Sequence, residues 1–269
     1  MIHFLGRWLH SFIVLGLALL LILVPSYGAG ATTQQELDDI SDLWQTSAHA
    51  LNDVNCASCH QNEDTKEFIE TPNHETCQSC HEQAVDTFLL SKHGIRLLEG
   101  KNALTPAMAR LPMKHDAMQQ QMNCNACHDV HSANTVEASV DACLTCHDDN
   151  HSLNYQNSKH AGLFADSQSL PRPGAGAVSC STCHLPRELH GSNDDPVVEV
   201  NHNNTYNLKP QDRMVGDVCM NCHGLEWSYN SIFDPELVEA NFDRPPNLEM
   251  ESFALMEAAE ARRTGNASE

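Results

Sequence analysis

Cys56-Ala57-Ser58-Cys59-His60 and Cys77-Gln78-Ser79-Cys80-His81 set the terms on which the rest of the chain is read. The same Cys-x-x-Cys-His pattern returns at Cys124–Cys127–His128, Cys143–Cys146–His147, Cys180–Cys183–His184 and Cys219–Cys222–His223, and the six copies use all 12 cysteines. The pattern is the attachment site of c-type haem: two thiols form thioethers with the vinyl groups, and the adjacent imidazole comes to lie under the iron. Zinc knuckles and disulfides are the rival readings of paired cysteines. With 17 histidines in 269 residues, a histidine after all six pairs has a chance of roughly one in ten million, which neither rival explains. Six covalently bound haem c groups are expected, with His60, His81, His128, His147, His184 and His223 as proximal iron ligands.

About 40 residues are left per haem once a leader is set aside. So thin a chain, with 6% aromatic and 41% hydrophobic residues, cannot build an ordinary apolar core. The porphyrin faces must stand in for one, and the chain without its cofactors should be largely disordered, as small metal domains are. Attachment motifs favour helical turns, and no sustained two-residue alternation marks a sheet. The expected fold is mostly α and loop-rich, with short helices packed around a chain of six haems and at most a stray hairpin.

Residues 1–31 carry no acid and one cation, Arg7. The apolar run from Phe12 to Val24 is short for a membrane span and suits a secretory leader, with Ala29-Gly30-Ala31 as the cleavage site. An uncleaved N-terminal anchor is the alternative, and membrane contact is expected only in that case. Both readings export the globular part of what is expected to be a bacterial protein, and a periplasmic or otherwise exported location follows. From Thr32 onward 36 acids face 14 Lys and Arg, a formal charge of −22. That balance excludes nucleic acid as a partner and would steer the chain towards basic patches on redox proteins.

The motifs recur as a unit. His49, Cys56, Cys77 and Ser91-Lys92-His93 are followed by His115, Cys124, Cys143 and Ser158-Lys159-His160, at offsets of 66, 68, 66 and 67 residues. Val54-Asn55-Cys56 matches Met122-Asn123-Cys124, and Val178-Ser179-Cys180 echoes both. The division expected is a leader over 1–31, dihaem modules over 32–105 and 106–169, a diverged dihaem module over 170–247 behind a Pro/Gly boundary at Leu170–Gly176, and a C-terminal helix or tail over 248–269.

Each iron needs a sixth ligand, and its identity separates carriers from catalysts. Nine histidines after the leader lie outside the motifs. His49, His93, His115 and His160 occupy matching places in the two modules and are the first candidates. His131, one helical turn beyond His128, should reach a neighbouring iron, and His202 lies in the long insert before Cys219. His74, His151 and His190 are further candidates. Methionine is the other source of a sixth ligand, from Met108, Met113, Met118, Met122, Met214 or Met220.

The paired motifs, the Ser-Lys-His-Gly and Ser-Lys-His-Ala elements, and Cys180-Ser-Thr-Cys-His-Leu-Pro-Arg with its delayed His202 resemble the multihaem cytochromes c related to hydroxylamine oxidoreductase, cytochrome c-554 and pentahaem nitrite reductase. The resemblance spans residues 49–224 and implies closely packed haem pairs that form a continuous electron path. It implies no catalytic residue here. Pentahaem nitrite reductases typically carry a lysine in place of one motif histidine, whereas all six motifs end in His, and Tyr155, Tyr206 and Tyr229 match no cross-linking context. An exported electron carrier with no catalytic centre is therefore expected. It would work between a donor, such as a quinol-oxidising membrane cytochrome or a periplasmic redox protein, and a periplasmic or outer-membrane acceptor. The alternatives are an oxidoreductase acting on nitrite, hydroxylamine or a sulfur oxyanion at one five-coordinate haem, and a structural subunit of a haem filament or complex.

Overall fold

The structure is a computed structural model that describes residues 32–169, 177–192, 195–246 and 251–265. The leader expected over 1–31 and the Pro/Gly boundary at 170–176 lie outside the described residues. Contacts divide the chain into a short N-terminal unit ending at Leu43 and a large unit, Trp44–Glu269. The module boundaries drawn from the sequence fall inside the large unit. Among the described residues no helix is long and apolar enough to cross a membrane.

The large unit is a string of short helices and 3-10 turns, with one antiparallel hairpin in which Arg187–Ser192 pairs with Asp195–Val200. All six attachment motifs start on a helical turn. Cys56–His60 and Cys180–His184 are whole helices. Cys77 and Cys143 lie in His74–Gln78 and Asp141–Leu144, and Cys124–Ala126 and Cys219–Asn221 are 3-10 turns. The residue before the first cysteine explains the sequence echo noted above. Asn55 accepts the Ser58 amide and Ser179 accepts the Thr182 amide, each closing a reciprocal capping box, and the Asn123 side chain accepts the Cys124 amide. A side-chain oxygen at this position satisfies backbone donors that a five-residue helix cannot pair internally.

Packing is thin, as a small apolar inventory dictates. Val140, Leu144 and Tyr155 form one small buried cluster, on which Cys180 packs, and Met214, Val215 and Ile232 form another, touched by Cys183 and Cys219. As many polar as apolar side chains are buried among the described residues, and these tie distant segments together. Asn207 donates to the carbonyls of His184 and Asn201. Asn241 donates to the His151 carbonyl, and Asn150 and Asn154 both reach Glu239. Each buried amide is satisfied, which is the condition for keeping it out of water.

Candidate haem sites

Six pairs of histidine rings stand at nearly one separation, and every pair joins a motif histidine to one outside the motifs. His60 faces His131 at 6.2 Å between ring centres, His81 faces His49 at 6.0 Å, and His128 faces His202 at 6.3 Å. His147 faces His93 at 6.4 Å, His184 faces His151 at 6.0 Å, and His223 faces His160 at 6.3 Å. Two imidazoles bound to opposite sides of one metal at about 2 Å each, with about 1.1 Å from ligating nitrogen to ring centre, stand about 6.2 Å apart. The residues present therefore fit one metal centre per pair, held between a motif histidine and a second imidazole.

Several of these rings are fixed by a backbone carbonyl. His60 Nδ1 donates to Ile69 O at 2.7 Å, His49 Nδ1 to Val130 O at 3.3 Å, and His202 Nδ1 to Val200 O at 3.0 Å. His151 Nδ1 donates to the Val238 carbonyl. A carbonyl can only accept, so the proton sits on Nδ1 and Nε2 is left as the ligating atom. Burial, and next the neighbouring His147, push His93 down to about 4. Burial, and next His151, push His184 down to about 4. Burial, with a facing or neighbouring histidine second, also lowers His128, His160 and His202. These rings are neutral at pH 7, the state a metal requires.

The partners are delivered by a short local device. His49, His93 and His160 each follow a buried serine by two residues: Ser47-Ala48-His49, Ser91-Lys92-His93 and Ser158-Lys159-His160. Ser47 Oγ accepts the Ala50 amide, Ser158 Oγ accepts the Ala161 amide, and Ser91 Oγ accepts the amides of His93 and Gly94. The serine starts a turn and the histidine leaves it at a set angle. The first copy is readable in the sequence as Ser47-Ala48-His49-Ala50, but Ala48 stands where the other two copies have lysine. Matching His49 to His115 by spacing hid it. Gly94 has its own reason: a Cβ there would lie 2.2 Å from the Phe88 carbonyl oxygen.

Of the candidates named from the sequence, His49, His93, His160, His131 and His202 each face a motif histidine. His115 is exposed, on the 3-10 turn His115–Ala117. It faces no motif histidine among the described residues, and neither do His74 and His190. His190 lies on the hairpin 3.5 Å from Glu188, and His74 opens the helix His74–Gln78. His151 takes the sixth place. It is held by Val238, by the Asn241 amide on its carbonyl, and edge-on by Phe242, and all three partners come from more than 80 residues away.

The sites also adjoin one another. The Cys77 thiol interacts directly with Cys124, and Cys143 with Cys180; that contact, and burial after it, raise the Cys77 and Cys143 thiols. Cys183 and Cys219 share the Met214 cluster. Lys114 N donates to Cys146 O at 2.9 Å, and Met113 bridges to His147. The last motif histidine, His223, lies flat against Trp227 at 5.7 Å.

A family model described as cytochrome c3 matches residues 48–148, a stretch that holds four of the six attachment motifs. None of the curated proteins matches the chain. The match does not reach the narrower likeness to hydroxylamine oxidoreductase and its relatives. The attachment motifs, the fit of two imidazoles to each site and the match over residues 48–148 together support a multihaem c-type cytochrome.

Proposed function

We propose that the chain is an exported electron relay with six haems, each closed by two histidines, passing electrons between a membrane or periplasmic donor and a second redox protein. The observation that carries this reading is the set of six histidine pairs. The thioether bonds come from the 12 motif cysteines. His60, His81, His128, His147, His184 and His223 would hold the irons beside the attachment cysteines, and His131, His49, His202, His93, His151 and His160, in the same order, would supply the second imidazole. Haem iron held in this way supplies reversible one-electron chemistry at potentials below those of methionine-ligated cytochromes.

The chain's own residues do three things. The Cys-x-x-Cys turns, capped by Asn55, Asn123 and Ser179, fix where each cofactor is tethered. The Nδ1 bonds to Ile69, Val130, Val200 and Val238 orient imidazoles and make their ligating nitrogens more basic. The distal rings occupy the position a small molecule would need, so the oxyanion-reducing alternative has no observation in its favour. The contacts that join the Cys77 motif to the Cys124 motif, the Cys143 motif to the Cys180 motif, and the Cys180 motif to the Cys219 motif support a path through neighbouring sites.

Mass measurement of the mature protein, with electron paramagnetic resonance of its oxidised form, tests the reading. Six covalent haems and only low-spin iron are expected. Fewer haems in fully matured protein, or high-spin iron that binds nitrite or hydroxylamine and turns it over, would overturn the relay.

A further inference from the structure

One of the six pairs differs from the others in a way that bears on its electronic structure. The rings of His60 and His131 lie 6° from parallel, whereas the other five pairs cross at 57° to 66°. Each imidazole donates π density into the iron d orbital perpendicular to its own plane. Parallel planes act on the same orbital, separate it from its partner and give a rhombic low-spin ferric signal. Crossed planes act on both orbitals, leave them nearly degenerate and give a strongly anisotropic signal with one large g value. Parallel planes also stabilise the ferric state, so that iron has the lower potential of two otherwise equal sites.

The cause of the difference is a loop of nine residues. His60 Nδ1 donates to Ile69 O at 2.7 Å, and Ile69 N donates back to His60 O at 2.8 Å. Phe68, paired to Gln61 by a β-bridge, lays its ring against His60 at 5.5 Å and 11° from parallel. The hydrogen bond fixes which edge of the imidazole points to the metal, and the phenyl face fixes its rotation about that direction. Stacking on the proximal ring alone is not sufficient: His223 lies equally flat on Trp227, yet its partner His160 crosses it at 63° because His160 packs edge-on against Phe242. His131 has no aromatic neighbour besides His60 among the described residues.

We propose that Phe68 is a positioning residue that holds His60 parallel to His131 and so makes the first haem the one rhombic member of the six, with a potential lower than crossed rings would give it. The proposal rests on the two-histidine reading above. The test is electron paramagnetic resonance of the oxidised holoprotein, with a redox titration of the rhombic line, in the wild type, Phe68→Leu, Phe68→Tyr and Trp227→Leu. Phe68 is 75% exposed, so its replacement leaves packing largely intact, and covalent haem content verifies folding. The wild type should give one rhombic species, a sixth of the low-spin intensity, beside five large-g species. Phe68→Leu should move that sixth towards the large-g region and raise its potential. Phe68→Tyr should keep it, and Trp227→Leu should leave it untouched. Six large-g species in the wild type, or a rhombic line indifferent to Phe68→Leu, would overturn the proposal and leave the two-histidine reading standing. High-spin iron in the wild type would overturn both.

Discussion

Replacing His151 by alanine should open one iron, and replacing His115 should open none. His151 stands 6.0 Å from His184, between a carbonyl acceptor at Val238 and the edge of Phe242, while His115 is an exposed turn residue facing no other imidazole among the described residues. Losing His151 removes one of the six second imidazoles, so a sixth of the low-spin ferric signal should become high-spin, and the reduced protein should bind one carbon monoxide per chain. The hydrogen bond to Val238 is lost as well, worth about 1 kcal/mol, and its carbonyl is left without that donor. The melting temperature should therefore fall modestly while all six haems stay attached, because thioethers do not depend on the distal ligand. Spin state is read by resonance spectroscopy, and carbon monoxide by titrating the Soret band. One carbon monoxide bound by His115→Ala and none by His151→Ala would refute the use of ring pairs to assign ligands.

Gly94→Ala places a methyl 2.2 Å from the Phe88 carbonyl oxygen, so the turn carrying His93 must shift. About 1–3 kcal/mol should be lost, with partial high-spin character at the His147 site, seen in a denaturant melt and the visible spectrum. Tyr155→Phe removes the 2.8 Å hydrogen bond from the buried hydroxyl to Val178 O; the expected cost is about 1 kcal/mol by chemical denaturation, with unchanged spectra. Acid should loosen the sites in a defined window. Burial holds His93 and His184 below their ordinary value, and iron bound at the same nitrogen would hold them lower still, so below about 6.5 the unfolded chain binds protons that the folded one does not. Stability then falls as pH drops from about 6.5 into the acid range. A stability curve flat across that window would contradict it.

What the sequence carries of the attachment sites is local: five consecutive residues would specify two thioethers and one ligand, and all six stretches start on a helical turn. The capped turns were legible for the same reason, as Asn55, Asn123 and Ser179 sit beside the cysteines they serve. His93 and His160 stand behind a local device, in Ser91-Lys92-His93 and Ser158-Lys159-His160, while His131 and His202 were reached from their places beside His128 and in the insert before Cys219; each of the four faces a motif histidine. Spacing alone matched His49 to His115, yet His49 shares its capped turn with His93 and His160. His151 carries no such mark. Val238, Asn241 and Phe242 place it from across the fold, and no window around it contains that information. The Arg187–Val200 hairpin was equally hidden, since Arg187, Glu188, His190 and Ser192 interrupt any apolar alternation.

If the chain is exported N-terminus first, as proposed, the pairing would also set an order in time. His49, His93, His151 and His160 all precede the motif histidines they face, at His81, His147, His184 and His223, so those four irons can be closed as soon as each haem is attached. His60 and His128 must wait for His131 and His202, 71 and 74 residues further on. During such export the first and third haems would be left with one face open to oxygen, peroxide or a chaperone's own ligand. A translocon that stalled between them would leave behind a reactive haem protein rather than a shorter wire.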